Sequence, residues 1–148
     1  MKQILEEDIE EITYDEILLS RLNKYKKGTC YWPNVVINIE DIKTAIKNGI
    51  QEVNEHYDSY DSLNVNLKTK EWHLGRIVYF INNLHKIDPI QIDNKCCGSC
   101  ISGTPIIEDG NHRFMALLYL KVKRIKIDYC GRCDVLEYLK GMTDEIPE

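Results

Sequence analysis

The segment Glu108–Arg113 has the residue types of a phosphate-binding turn. It lies where a predicted strand passes into a predicted helix. The first N–H groups of a helix lack intrahelical acceptors, and the helix dipole favours anions there. Arg113 adds a bidentate phosphate donor, His112 adds a second donor or a proton carrier, and Gly110 lets a ligand approach the backbone. The pattern therefore predicts a site for phosphate.

The same turn has a plainer interpretation. Asp109 or Asn111 could cap the helix, and His112 and Arg113 would then be solvated residues of its first turn. Short motifs of this kind also occur by chance. Both interpretations stay open from spacing alone.

Two carboxylates flank the turn and could serve phosphoryl transfer. Glu108 and Asp109 are the nearest groups that could hold Mg²⁺ or orient the acceptor of a phosphoryl group. Successive side chains of a strand face opposite ways, so only one of them is expected to point into the site. We expect that residue to be Asp109, with Glu108 facing solvent, and His112 to act as a phosphate donor or a general base.

Six cysteines make a separate signal. Four of them form two C-x-x-C pairs, Cys97 with Cys100 and Cys130 with Cys133. Tetrahedral Zn²⁺ is commonly held by four thiolates from two such pairs, so the spacing predicts a structural zinc site. Four thiolates leave no open coordination position, so zinc would order a loop over the turn and take no part in catalysis.

The expected topology argues against that zinc site. A helix joins the predicted strands 105–108 and 125–129, and strands joined by a helical crossover are expected to be parallel. The two pairs would then start at opposite ends of the sheet, about 13 to 20 Å apart. The alternatives are a metal shared between subunits, a redox pair, or reduced thiols that pack. Cys96 could replace Cys97, and Cys30, which has no C-x-x-C partner, is expected to be buried.

Helical periodicity dominates the N-terminal half. A capping-box pattern at residues 13–16 predicts a first helix that runs to Gly28. A short strand is expected at 35–39, followed by a second helix whose apolar residues recur every three or four positions through Val53. The polar segment 57–62 is the expected internal boundary.

The second half alternates strands and helices. In order, we expect a helix over Lys70–His85, strands at 89–92 and 105–108, a helix after Gly110, a strand at 125–129, and a short helix that stops near Gly141.

Composition limits the class of protein. The chain has 148 residues, of which 43% are hydrophobic and 29% charged, and its formal charge is -5, which describes a folded chain and not a disordered one. No apolar run approaches the roughly 20 residues of a membrane span, and the N-terminus is charged. We therefore expect a cytoplasmic protein that does not enter membranes. Abundant Ile, Lys and Asn suggest a bacterial or phage genome.

The acidic balance does not favour binding to nucleic acids, because such binding depends on a surplus of Lys and Arg. One local exception is a basic cluster near the last predicted strand, which we expect to be a solvated face: Lys121, Lys123, Arg124 and Lys126.

Residues from about Arg76 to Tyr129 resemble the ParB/sulfiredoxin-like superfamily. The resemblance rests on the strand that opens with Pro89-Ile90, the second strand at 105–108, and the glycine-plus-arginine turn that begins the next helix. It covers a little over one third of the chain. Members of this superfamily typically bind a nucleotide or its phosphates at that turn, which implies this role for Gly110, Asn111, His112 and Arg113.

Departures from the family patterns narrow the implied activity. Sulfiredoxins carry a catalytic cysteine immediately before the His-Arg pair, where this chain has Asn111. Chromosome-partitioning ParB proteins have a second arginine where this chain has Phe114, and a DNA-reading domain downstream for which we expect no room after the last helix. The chain thus resembles free-standing members, some of which are small-molecule kinases, nucleotide hydrolases or nucleases.

Together these observations predict an α/β (α+β) protein with a ParB/sulfiredoxin-like core over residues 67–148 and a helical extension over residues 1–66. We expect a nucleotide-binding enzyme that uses ATP or another nucleotide with Mg²⁺ to hydrolyse or transfer a phosphoryl group to a small-molecule or protein acceptor. Two alternatives stay open, namely a nuclease or DNA-associated protein and a non-catalytic, zinc-stabilised interaction module.

Overall fold

A computed structural model describes residues 14–54, 68–96 and 100–147, with the backbone alone for Tyr31, Lys95, Cys96 and residues 100–103. Helices and strands alternate within these ranges, which confirms the predicted α/β (α+β) class. None of the helices in these ranges combines the length and the apolar character that a membrane span requires.

The elements follow one another in this order: β1 (Asp15–Leu18), α1 (Leu19–Lys26), β2 (Thr29–Trp32), β3 (Val35–Asn38), α2 (Ile39–Lys47), α3 (Lys70–Asn82), a 3-10 turn (Leu84–Lys86), β4 (Ile90–Cys96), β5 (Cys100–Asp109), α4 (Asn111–Tyr119), β6 (Arg124–Cys130) and α5 (Cys133–Lys140).

The first helix begins later than the capping-box pattern indicates. Residue 13 lies outside the described residues, and Glu16 lies in β1, which pairs antiparallel with β6. Ile17, in the middle of this strand, is fully buried. The predicted helix start is therefore wrong, because backbone pairing with β6 outweighs the local helical pattern over residues 15–18. Helix α1 begins at Leu19 and ends at Lys26, and the next residue, Lys27, has a left-handed backbone conformation.

A hairpin of β2 and β3 follows, of which only β3 was predicted. Asn38 caps α2: its side chain accepts from the Asp41 N–H, and the Asp41 carboxylate accepts from the Asn38 N–H. The helix ends at Lys47, and Gly49 adopts a φ of +70° just beyond it. The predicted continuation of this helix to Val53 is therefore wrong.

The region predicted as a helical extension with one short strand thus contains three strands. β1 joins the main sheet, while β2 and β3 form a separate two-stranded sheet. The expected domain boundary between residues 66 and 67 and the turn-rich segment 57–62 lie outside the described residues, so both stay predictions.

Helix α3 begins where it was predicted, with the Thr69 hydroxyl accepting from the Trp72 N–H. It ends at Asn82 and the chain continues in the 3-10 turn, so the predicted end at His85 includes a short irregular segment. Gly75 lets the segment 50–54 pack against this helix, because a Cβ there would lie 2.5 Å from the carbonyl oxygen of Gln51.

The main sheet has the strand order β1-β6-β4-β5. β4 is antiparallel to β5 and parallel to β6, so β5 and β6 run antiparallel to each other. The expectation that β5 and β6 are parallel is therefore wrong. The nine-residue helix α4 and the turn after it return the chain to the end of the sheet where β5 stopped, and β6 then pairs with β4.

The core is built largely from aliphatic side chains of the sheet and the helices on it. Ile90 and Ile127 lie opposite each other in β4 and β6 and are fully buried. Phe114 and Met115 of α4 are also fully buried, as predicted for the first and suggested for the second. Burial of one such side chain contributes about 1.5–3 kcal/mol. This core holds α3 and α4 against each other and thereby positions the site described next.

Candidate functional site

A cavity of about 420 Å³ opens where α3, α4 and strands β4, β5 and β6 meet. Its volume is within the range of small-ligand sites. Four of the residues predicted from the sequence line it: Asp109, Gly110, His112 and Arg113. The other charged or amide-bearing residues on its wall are Arg76, Lys86, Asp88, Gln91 and Asp128.

Gly110 forms the turn between β5 and α4. Its φ of +109° places it in the region that favours glycine, and its carbonyl accepts the Phe114 N–H at 2.7 Å. The N–H groups of residues 111–113 precede that first intrahelical bond, and among the described residues no side chain caps them. The alternative in which Asp109 or Asn111 caps this helix is therefore wrong.

Arg113 folds back from α4 over Gly110. Its Nη1 donates to the carbonyl oxygens of Asp88 and Pro89 at 3.0 Å each, and its Nη2 lies 3.1 Å from Asp109 Oδ2. The side chain is only 12% exposed. Arg113 therefore holds the start of β4 against the end of β5 as well as placing a positive charge at the cavity, and it is not the solvated residue of the plainer interpretation.

His112 is buried, with 5% of its surface exposed, and pairs with His73 of α3. His112 Nε2 lies 2.9 Å from His73 Nδ1. The indole of Trp32 stacks on both rings, with centroids 4.1 Å from His73 and 4.6 Å from His112. Trp72 meets both imidazoles edge-on. The histidine pair is therefore held by aromatic rings from β2 and α3.

Burial lowers the pKa of His112 well below its ordinary value of 6.5, and the nearby His73, Arg76 and Arg113 lower it further. All of these causes disfavour a positive charge on His112. His112 is consequently a neutral imidazole near pH 7.

Arg76 brings a second guanidinium to the cavity, and this one is buried. It is 6% exposed, its Nη1 donates to the carbonyl oxygen of Val53 at 3.2 Å, and it lies 4.6 Å from the centre of the Phe80 ring. Packing on an aromatic face suits guanidinium because the ring carries negative charge on its face. Arg76 thus adds a positive charge to the wall of the cavity that the α4 turn also lines.

The side chain of Asn111 turns away from the cavity. The Cys30 thiol donates to Asn111 Oδ1 at 3.4 Å, and burial raises the pKa of Cys30 to about 11 against an opposing effect of Lys26. Cys30 is fully buried, as predicted. Asn111, which the resemblance implied as a binding residue, is therefore not among the residues that line the cavity, and its amide side chain contacts Cys30 instead.

The two candidate carboxylates are placed differently. Asp109 lines the cavity and is 53% exposed, whereas Glu108 is exposed and lies outside the cavity wall. Within the described residues no three His, Cys, Asp or Glu side chains converge closely enough to hold a metal ion. Mg²⁺ usually takes one or two carboxylates and completes its shell with water and substrate phosphates. Asp109 has the chemistry for that partial role.

The backbone of Cys100 and the pair Cys130 and Cys133 lie toward one end of the sheet. Cys130 ends β6 opposite Asp93 of β4, and Cys100 begins β5 opposite Cys96 of β4. Asp93 and Cys96 are three residues, or about 10 Å, apart along β4. The predicted separation to opposite ends is wrong, because it followed from parallel β5 and β6. Cys97 and the side chains of Cys96 and Cys100 lie outside the described residues.

Cys130 and Cys133 are exposed free thiols on a turn that a buried asparagine holds in place. The Oδ1 of Asn94 accepts from the Tyr129 hydroxyl at 2.9 Å and from the Arg132 N–H at 3.0 Å. Gly131 lies so close to Asn94 that no side chain fits there. The turn therefore presents both thiols in a defined arrangement.

Several residues of the site had no role in the sequence-based prediction: Trp32, Trp72, His73, Arg76, Lys86, Asp88, Gln91 and Asp128. A signal existed for two of them. His73 and Arg76 are polar and three positions apart within the buried stripe of α3 that also contains Leu74 and Ile77. Polar groups on an apolar helical face need partners, and here they mark the site.

Comparison with models of known protein families, with curated proteins and with solved structures found no match. The resemblance to the ParB/sulfiredoxin-like superfamily therefore stays a prediction that rests on the residues of segment 76–129.

Proposed function

We propose that this protein binds a nucleotide through its phosphates in the cavity and hydrolyses it or transfers a phosphoryl group. One observation carries the proposal: the buried Arg76 and the partly buried Arg113 line the same cavity as the uncapped N-terminus of α4. Guanidinium and backbone N–H groups only donate hydrogen bonds, and phosphate oxygens only accept them. Lys86 adds a third positive charge to the same wall.

The rest of the wall suits the nucleoside part of such a ligand. Asp88, Gln91 and Asp128 offer oxygen acceptors, which ribose hydroxyls and base amino groups can satisfy. An inorganic phosphate would leave these acceptors unused. The mixed lining therefore favours a nucleotide over a bare anion.

Catalysis at such a site would consist mainly of positioning and charge neutralisation. Arg76, Lys86 and the α4 amides would hold phosphate oxygens, and Arg113 would keep the turn in place. Asp109 is the carboxylate at the α4 end of the cavity and would bind Mg²⁺ together with the phosphates or orient the acceptor. Glu108 has no part in this proposal.

Thermal unfolding with ATP, ADP, GTP or CTP plus Mg²⁺ tests the binding. A ligand at 100 times its Kd stabilises a protein by about 2.7 kcal/mol, which raises the Tm of a chain of this size by roughly 5–10 °C. Arg76→Gln and Lys86→Ala should reduce the ligand-induced rise, each measured against the same variant without ligand. Lys126→Ala is the matched control, because Lys126 is exposed and lies outside this cavity.

Turnover assays then separate the alternatives. Phosphate release or transfer with the stabilising nucleotide supports the proposal. Metal-dependent cleavage of DNA without nucleotide stabilisation would instead indicate a nuclease. No stabilisation by any nucleotide and no cleavage would leave a non-catalytic interaction module.

A further inference from the structure

The short contact between His73 and His112 limits where the ring protons can lie, and this determines which group His112 can present to a ligand. Two imidazole nitrogens 2.9 Å apart need one proton between them, because two protons would collide and two lone pairs would repel. The pair is buried, and Arg76 and Arg113 disfavour additional positive charge. His112 is therefore neutral, and one of the two rings donates to the other.

The direction of this hydrogen bond decides what His112 offers to a ligand. If Nε2 of His112 carries the shared proton, its Nδ1 is a lone pair and repels a phosphate oxygen. If Nδ1 of His73 carries it, Nε2 of His112 accepts and Nδ1 of His112 carries a proton. Only the second arrangement makes neutral His112 a donor to phosphate.

We propose that His73 is a positioning residue that donates from Nδ1 to His112 Nε2 and so fixes His112 as a neutral Nδ1–H donor at the cavity. This inference rests on the proposed phosphate site, since the acceptor-only chemistry of phosphate sets the direction. Trp32 stacks on both imidazoles and so holds the two rings in place before a ligand binds. A neutral donor also avoids placing a third buried cation beside Arg76 and Arg113.

Nitrogen-15 NMR of the histidine side chains reads the tautomers directly, with or without ligand. Protonated and unprotonated ring nitrogens differ strongly in chemical shift, and His112→Gln assigns the His112 signals among the four histidines of the chain. We expect wild-type protein at pH 7 to show protonated Nδ1 and unprotonated Nε2 on His112. The opposite pattern, or an imidazolium, would overturn the inference even if the nucleotide binds.

Two substitutions test the effect on binding. His73→Phe keeps a ring between Trp32 and Trp72 but removes the hydrogen bond, and should weaken ATP-Mg²⁺ binding about tenfold. His73→Asn places an amide nitrogen near the position of Nδ1 and should restore binding to within about threefold of wild type. Equal loss in both variants would indicate packing alone and contradict the inference.

The failure of the inference is distinguishable from failure of the proposed function. If wild-type protein binds no nucleotide, the phosphate site is wrong, and the tautomers of the free protein still show whether His73 donates to His112. If wild type and His73→Phe bind equally well, the nucleotide site stands and the positioning role of His73 is wrong.

Discussion

A methyl group on Gly110 would lie 3.1 Å from the Arg113 guanidinium, which folds over the turn it follows. Glycine is needed at this position for two independent reasons. The φ of +109° strains any residue with a Cβ, and the space is already filled by the side chain that binds the carbonyl groups of Asp88 and Pro89. The backbone of the turn and the position of Arg113 therefore depend on each other.

Gly110→Ala should lower the free energy of unfolding by about 1–3 kcal/mol and abolish nucleotide stabilisation, because both the backbone and Arg113 must shift. Gly49→Ala is a matched control. Gly49 also has a positive φ, +70°, but a Cβ there meets nothing within 4 Å. Denaturant unfolding with and without nucleotide measures both effects. Normal nucleotide stabilisation in Gly110→Ala would contradict the proposed site.

The buried neutral His112 predicts a loss of stability in mild acid. Its folded-state pKa lies well below 6.5, so the unfolded chain binds this proton first as the pH falls. Stability is then complete above the unfolded pKa and declines below it, at up to about 1.4 kcal/mol per pH unit. Unfolding free energies of wild type between pH 5.5 and 7.5 should decrease toward low pH, and His112→Gln should show a shallower slope. An equal slope in the variant would show that groups other than His112 cause the loss of stability in acid.

The orientation of Asn111 predicts that its side chain is dispensable for ligand binding. Asn111→Ala removes the acceptor of the buried Cys30 thiol and should cost about 0.5–1.5 kcal/mol of stability. Nucleotide affinity should stay within about twofold of wild type, because the backbone N–H group remains. Calorimetric titration checks the affinity, and a tenfold loss would show that the amide side chain reaches the ligand.

The four-cysteine zinc site stays a hypothesis, and the observed strand directions remove the expected separation that argued against it. Protein purified without chelators should then contain about one zinc ion per chain. Cys130→Ser with Cys133→Ser should remove the metal and lower the Tm, whereas Cys30→Ala, a change at a buried thiol remote from both pairs in sequence, should retain it. If metal analysis finds no zinc in the wild-type protein, a redox pair or packed, reduced thiols would remain as the interpretations of the cysteines.

The C-terminal half of the fold was predictable because its local signals agree. Gly110, Gly141 and the alternating residues of 125–129 mark two helix ends and a strand that the structure contains. The segment between residues 92 and 105 was predicted as a loop, but β4 extends to Cys96 and β5 begins at Cys100. The N-terminal half was less predictable. Ile17 fits both a helical stripe and a strand, and only its pairing partner Ile125, more than 100 positions away, decides between them.

Only the part of the candidate site that a single short segment of the sequence forms was predictable. The turn with Gly110 and Arg113 carries a motif, so the cavity wall at α4 was anticipated. The residues that contact His112 were not anticipated. His73 lies on another helix, and Trp32 lies on a hairpin strand for which the sequence has no turn motif. Strand direction was misjudged for a similar reason, since the pairing of β6 with β4 is a tertiary choice.

The most direct test of the nucleotide site is a titration of nitrogen-15-labelled protein with ATP and Mg²⁺, followed through its backbone amide signals. We expect the largest shifts on Gly110 and on the uncapped amides of residues 111–113, and a response that is severalfold weaker in Arg76→Gln. Unchanged signals for these amides at millimolar nucleotide, or shifts confined to another surface, would contradict it.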